Sequence, residues 1–103
     1  MIEIADIRKN LHELKDCYRI IEIRTQKNPK AKVVFMGEYL KIIEDYEKCM
    51  QSASFRLQLA YENLYRCYKT QKQYAIECGV TEKYIQILNK RIILHIYNIL
   101  NKE

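Results

Sequence analysis

The residues of this 103-residue chain that are best suited to chemistry are the polar side chains of one stretch, QKQYAIECGVTEKYIQILNK, residues 71–90. Glutamine and asparagine can pair with adenine, lysine with guanine, and glutamate with the amino group of cytosine. Isoleucine can touch a thymine methyl group. These side chains recognise base edges and do not break bonds. The stretch therefore predicts binding to nucleic acid, provided that a helix presents the side chains together.

The same stretch contains, at the required places, the residues of two short helices packed at a steep angle. Ala75 is small where the second helix would cross the first, and Gly79 tolerates the left-handed backbone of a turn. Val80 is expected to be buried, and Thr81 can cap the second helix. The apolar residues expected on the inner faces are Tyr74, Cys78, Ile85, Leu88 and Ile92. This pattern predicts a helix-turn-helix; the simpler alternative is an ordinary helix end at Gly79 with no DNA role.

The N-terminal half predicts two amphipathic helices joined by a short break. Apolar residues recur there at spacings of three and four, which form a seam along one side of a helix. Asn28-Pro29 ends the first helix, because proline lacks a backbone donor and disfavours helical backbone at the preceding residue. Two matching seams predict an antiparallel hairpin. The first seam is Ile4, Ile7, Leu11, Leu14, Tyr18 and Ile21, and the second is Met36, Tyr39, Ile43, Tyr46 and Met50.

The stretch from Gln51 to Ser54 is the expected boundary between two domains. Ser52 or Ser54 can cap the next helix by accepting a hydrogen bond from an exposed backbone N–H. That helix is expected to run to about Tyr68. Residues 34–68 could instead form one long bent helix. The apolar inner face expected on the third helix is Leu57, Ala60, Tyr61, Leu64 and Tyr68.

Composition favours an all-α fold. Two glycines and one proline leave too little turn chemistry for a β-sandwich or barrel. We predict an N-terminal helical hairpin, residues 1–52, followed by a C-terminal helix-turn-helix domain, residues 53–103. The net charge is +5, of which the first part carries +1 and the second +4. The basic excess therefore lies in the same part as the predicted turn, which suits a polyanionic partner.

The remaining reactive side chains do not predict an enzyme, and we expect no cofactor and no metal. The two histidines lie on amphipathic helices, and the carboxylates are scattered singly among lysines. The cysteines lie too far apart for the usual zinc spacings, so we expect buried, reduced thiols. Without an apolar run of about 20 residues or a signal peptide, we expect a cytoplasmic protein with no membrane association. The cysteines are Cys17, Cys49, Cys67 and Cys78.

The segment TQKQYAIECGVTEKYIQILNKRIILHIYNIL, residues 70–100, resembles region 4 of bacterial sigma factors and related small activators of phages and mobile elements. The matching positions are the Thr70 cap, Ala75, the Gly-Val-Thr turn and Arg91. The preceding LQLAYENLYRCY resembles the helix that packs beneath the motif. The chain has no room for the other sigma domains, so we do not expect a complete sigma factor. Its second motif helix also has fewer arginines at its start than is usual in the family.

A helix-turn-helix would place the helix that starts at Thr81 in the major groove of DNA. The residues expected to meet base edges are Thr81, Glu82, Lys83, Tyr84, Gln86, Ile87, Asn89 and Lys90. The residues expected to meet phosphates are Lys69, Thr70, Gln71, Lys72 and Arg91. As alternatives, Arg91 can bind an acid on the neighbouring helix, Tyr84 can cover the core edge, and Glu82 can satisfy the helix N-terminus.

The pattern therefore predicts a sequence-specific regulator of transcription that binds double-stranded DNA. Because one such module binds weakly by itself, a partner is expected to add affinity. The candidates are a homodimer through the N-terminal hairpin and docking on RNA polymerase. Alternatively, both seams face each other and pack on the C-terminal half of a monomer. The alternative is a small helical protein-interaction module, such as an inhibitor, adaptor or antirepressor, that does not bind DNA.

Overall fold

A computed structural model describes residues 2–25, 37 and 39–102, and all regular structure in those ranges is helical. The all-α prediction is therefore confirmed at that level. The predicted break at Asn28-Pro29, Met36 and the side chain of Ile21 lie outside the described residues. In the described ranges, no helix is both long and apolar enough to cross a bilayer. The helices are α1 (Ile4–Thr25), α2 (Leu40–Met50), α3 (Phe55–Tyr61), α4 (Gln71–Cys78) and α5 (Glu82–Leu100), and a π-helical turn (Glu62–Arg66) continues α3.

One hydrophobic core contains residues from both halves of the chain. The α1 seam residues Ile7, Leu11 and Leu14 are almost fully buried, as predicted. They belong to the same cluster as the buried residues of α2, α3 and α5. Helix α1 packs against the π-helical turn and α5 as well as against α2. The core is thus continuous across the predicted boundary, and it holds α1 beside the C-terminal half.

The boundary between α2 and α3 is a turn, which excludes one long bent helix through this region. Helix α2 ends at Met50, and α3 starts after Ser54, whose side chain accepts a hydrogen bond from the Leu57 amide at 3.4 Å. Ser54 is therefore the cap predicted for the third helix. The Ser52 hydroxyl instead donates to the Cys49 carbonyl at 3.1 Å, so it belongs to the end of α2.

The end of the third helix differs from the prediction. The helix was expected to run to about Tyr68, but helical structure stops at Arg66. The Cys67 amide bonds back to the Glu62 carbonyl at 2.8 Å, which is the wide hydrogen bond of a π-helix. Tyr68 follows with a φ of 45°, a left-handed conformation that ends the helix. Its side chain is half-buried, and its hydroxyl donates to Glu22 on α1.

Helix α4 is closed at both ends by local hydrogen bonds. The Thr70 hydroxyl accepts from the Gln73 amide at 3.0 Å, and the Gln73 side chain accepts from the Thr70 amide at 2.9 Å. This reciprocal pair is a capping box. At the other end Gly79 adopts a φ of 68° and a ψ of 32°. The amides of residues 79 and 80 then bond back to the carbonyls of residues 76 and 75, at 3.2 and 3.0 Å, which is a Schellman ending.

Helix α5 is capped by Thr81, which lies two residues after the glycine and whose hydroxyl accepts from the Tyr84 amide at 3.2 Å. The predicted inner-face residues Tyr74, Ile85, Leu88 and Ile92 are buried, as is Ala75. Two predictions of burial are wrong. Val80 is 38% exposed because it lies in the turn itself, outside both helices. Cys78 is exposed because it is the last residue of α4, beyond the part that contacts the core.

The four cysteines also divide into two buried and two exposed residues. Cys17 and Cys49 are buried within helices, as predicted, and burial raises the pKa of both thiols. Cys67 and Cys78 are exposed, so the prediction is wrong for these two. Both follow or close a helix, where the side chain no longer points toward the core.

The left-handed turn leads to a stability prediction. Gly79→Ala should lower the free energy of unfolding by about 1 kcal/mol, because a Cβ disfavours left-handed backbone. A Cβ at this position would meet no atom within 4 Å, so the backbone alone causes the cost. Gly37→Ala is the control, because that glycine is helical and its added Cβ also meets nothing within 4 Å.

The control should raise the free energy of unfolding by up to about 1 kcal/mol, because alanine is the better helix former. Urea denaturation followed by circular dichroism measures both variants. Equal effects of the two substitutions would show that the conformation at residue 79 does not limit stability.

Candidate nucleic-acid interface

Helix α5 has one buried and one open face along its first half. Its buried face is formed by Ile85, Leu88 and Ile92. The opposite face carries most of the residues predicted to meet base edges, and the core does not cover it. Six of the predicted residues on this helix are exposed, namely Glu82, Lys83, Gln86, Ile87, Lys90 and Arg91. A partner can therefore reach these side chains without unfolding any part of the protein.

Tyr84 and Asn89 are engaged within the chain and are only half exposed. The Tyr84 hydroxyl accepts from Arg56 Nη1 at 2.7 Å, and the same guanidinium lies 6.0 Å from the centre of the ring. Asn89 Oδ1 accepts a hydrogen bond from the Tyr65 hydroxyl. These two contacts join α5 to α3 and to the π-helical turn. They are structural contacts, and the one from Tyr65 occupies one of the two acceptor positions of Asn89 Oδ1.

The start of α4 carries the residues predicted to meet phosphates. Thr70 and Lys72 are exposed, and Gln71 is half-buried. Lys69 is different, because its ammonium donates to Asn63 Oδ1 and to Glu77 Oε2, both at 2.7 Å. The hydrogen bond to Glu77 is the largest cause of the raised pKa of Lys69. Glu77 thus compensates the charge of this lysine, which leaves less of it for a phosphate than the sequence suggests.

The other cations near α4 and α5 lack such compensation. Among the described residues, the ion pairs within 4.0 Å use the acids Asp16, Glu47 and Glu77. Arg8 of α1 and the exposed lysines and arginines of α4 and α5 take no part in them. Their positive charge is directed to solvent and remains available to an external anion. The cations concerned are Arg8, Lys72, Lys83, Lys90 and Arg91.

A groove of about 410 Å³ separates α1 from α5 and brings several of these residues together. Its lining contains cations and amides but no carboxylate. Helix α1 contributes three of the residues, which the sequence analysis did not assign to the site. The lining residues are Arg8, His12, Lys15, Tyr65, Gln71, Gln86, Asn89, Lys90 and Ile93. Four predicted site residues thus lie next to a row of basic side chains from the N-terminal helix.

Lys15 connects α1 to the start of α4. Its ammonium donates to the Lys69 carbonyl at 2.8 Å. Burial is the main cause of the lowered pKa of Lys15, and Arg19 lowers it further while Asp16 opposes both. His12 lies beside Asp16, with Nε2 and Oδ2 separated by 3.5 Å. The hydrogen bond to the backbone fixes the position of the basic row relative to α4.

A second cavity, of about 240 Å³, lies between α2 and the segment formed by α3 and the π-helical turn. Its charged residues are Glu47, Glu62 and Arg66, and the Arg66 Nε lies 3.5 Å from Glu47 Oε1. In the described part of the chain, no three histidines, cysteines or carboxylates are grouped to hold a metal ion. The chain matches no protein-family model, no curated protein and no solved structure. Its own geometry and charge therefore carry the functional argument.

The contact between Tyr65 and Asn89 leads to a pH prediction. Burial raises the pKa of Tyr65 from 10.0 to about 12, and the hydrogen bond with Asn89 opposes this only in part. Between these two values the unfolded chain ionises first, so the free energy of unfolding should fall as the pH rises. Tyr65 alone can contribute a slope of up to about 1.4 kcal/mol per pH unit in this window.

Tyr65→Phe tests this assignment. At pH 8 the variant should be less stable by about 1 kcal/mol, because it lacks one hydrogen bond. Toward pH 12 the difference should shrink or reverse, because the variant no longer has this hydroxyl to ionise. Urea denaturation at a series of pH values measures the difference. A difference that stays constant across the series would show that the environment of Tyr65 does not favour its neutral form.

Proposed function

We propose that this chain is a sequence-specific regulator of transcription that binds double-stranded DNA, with α4, the turn and α5 acting as a helix-turn-helix. The observation that carries the proposal is the open polar face of α5, on which Lys83, Gln86 and Lys90 are exposed opposite a buried apolar face. A helix that enters the major groove needs this division, because its outer face must meet bases while its inner face stays anchored.

Only the first half of α5 is suited to reading bases. Five of the six exposed polar side chains of α5 lie in residues 82–91, and the sixth is Asn98 near the C-terminal end of the helix. The recognition surface is thus limited to the first turns, where helix-turn-helix proteins contact base edges. Within it, Gln86 suits adenine, Lys83 suits guanine, and Ile87 suits a thymine methyl group.

The start of α4 supplies donors for the DNA backbone. The capping box uses the amides of Thr70 and Gln73. The amides of Gln71 and Lys72 lie in the same first turn, where a helix has no internal acceptors for its N–H groups. Together with the exposed Lys72 side chain, they form a group of donors suited to a phosphate.

The second candidate function is a protein-interaction module that does not bind DNA. Two large apolar side chains favour it, because Phe55 is 74% exposed and Ile76 is 71% exposed. The two functions are separated by titrating the protein against random-sequence duplex DNA at low and at moderate salt. A DNA-binding protein loses affinity as salt rises, because it releases counterions from the phosphates. Pairing into a homodimer and docking on RNA polymerase stay predictions.

Charge reversal on the proposed interface provides the mutational test. Lys72→Glu combined with Lys83→Glu should weaken duplex binding by at least about tenfold near 0.1 M salt, because Lys72 loses a phosphate contact worth about eightfold and Lys83 loses its contact with a base. Both side chains are exposed, so the fold should survive. The matched control is Lys41→Glu combined with Lys102→Glu, which changes the net charge equally at two exposed positions outside α4 and α5.

Fluorescence anisotropy with a labelled duplex measures both double variants, and thermal unfolding checks that each is folded. The control pair should bind more tightly than the interface pair by at least about tenfold. Equal losses in the two double variants would mean that only net charge matters, and the proposed orientation of α5 would then be wrong.

A further inference from the structure

Helix α1 presents a short row of basic side chains beside the proposed DNA-reading helix. Arg8, His12 and Lys15 follow one another at spacings of four and three, which places them on one face of α1. All three line the groove whose other wall includes Gln86 and Lys90 of α5. The row therefore faces the same space as two residues that belong to the recognition surface.

The groove gathers basic side chains, and Asp16, whose Oδ2 lies 3.5 Å from His12 Nε2, is an acid beside them that does not line the groove. No carboxylate lines it. Among the described residues, neither Arg8 nor Lys90 takes part in an ion pair, and Lys15 donates to a neutral backbone carbonyl. Like charges brought together in a partly enclosed site repel one another and concentrate positive potential. An anion that enters the groove would relieve this repulsion.

We propose that the groove between α1 and α5 holds the sugar–phosphate backbone of one strand of the bound DNA, with Arg8, Lys15 and Lys90 neutralising phosphates. The inference rests on the proposed function and adds α1 to the interface. It assigns to the N-terminal helix a direct role in DNA binding in addition to its contribution to the hydrophobic core.

The path of the strand follows from the residues that line the groove. Gln71, in the first turn of α4, lies at the same groove as the basic row, so phosphates bound at α4 can continue along α1. Arg8 and Lys15 are seven residues apart, which is about 10 Å along a helix. One DNA strand presents a phosphate about every 3.4 Å of helix axis, and its phosphates lie farther apart along the strand itself, so the row can reach more than one phosphate. Its length suits a strand better than a single small anion.

The test measures how the affinity for random-sequence duplex DNA depends on salt. The variants are Arg8→Gln and Lys15→Gln, and the control is Lys9→Gln, because Lys9 is exposed on α1 but does not line the groove. Each groove variant should reduce the slope of log affinity against log salt by about 0.9 and weaken binding about eightfold near 0.1 M salt. The control should stay within about twofold of the unsubstituted chain, since its charge meets no phosphate directly.

Arg8→Lys separates charge from packing, because it keeps the charge and should retain the slope of the unsubstituted chain. Arg8 is exposed, so its substitution tests the proposal even if Lys15→Gln disturbs the start of α4. If the slopes of Arg8→Gln and Lys9→Gln are the same, the groove does not hold the strand, and the role of α1 is overturned while DNA binding by α5 stands. If the unsubstituted chain shows no salt-dependent binding to duplex DNA, the proposed function fails, and this inference fails with it.

Discussion

The direction of α5 depends on the backbone between Cys78 and Glu82. Gly79 turns the chain in a left-handed conformation that ends α4, and the Thr81 hydroxyl starts α5 two residues later. So short a connection leaves little freedom in how the second helix leaves the first. Burial of Ile85, Leu88 and Ile92 then sets the rotation of α5 about its axis. The open polar face is therefore a consequence of one turn and one apolar stripe.

The position of the basic row on α1 follows from the core in the same way. Ile7 and Leu14 are almost fully buried, and Arg8 and Lys15 each follow one of them directly. Since each residue of a helix is rotated by about 100° from the one before it, side chains that follow buried positions lie at the edge of the buried face. Packing α1 against α5 thereby places this edge at the groove. The same rotation of α1 about its axis therefore buries its apolar residues in the core and places its basic row at the groove.

Local features of this structure could be predicted from the sequence, and features that depend on contacts between distant segments could not. The caps at Thr70 and Thr81 and the left-handed glycine depend on neighbouring residues, and the structure confirms them. The groove beside α1 depends on how helices pack, for which helical periodicity contains no information. The ion pair between Lys69 and Glu77 joins residues eight positions apart, a spacing at which residues of a regular helix are not neighbours. The spacing of Arg8, His12 and Lys15 was visible, but it has the same form as an ordinary solvated face.

The cations in and near the proposed interface fall into two groups, according to whether another side chain of the protein binds them. Lys69 is held by Glu77 and Asn63, and Arg56 is held over Tyr84, so both fix the positions of neighbouring elements. An external phosphate would have to compete with those contacts and would gain less from them. Arg8, Lys83 and Lys90 take part in no ion pair among the described residues, so a phosphate would not compete with an acid for them. Lys15 is intermediate, because its ammonium is bound by a neutral backbone carbonyl. The difference explains why a simple count of lysines and arginines would overstate the proposed binding surface, which consists of α5, the start of α4 and one edge of α1.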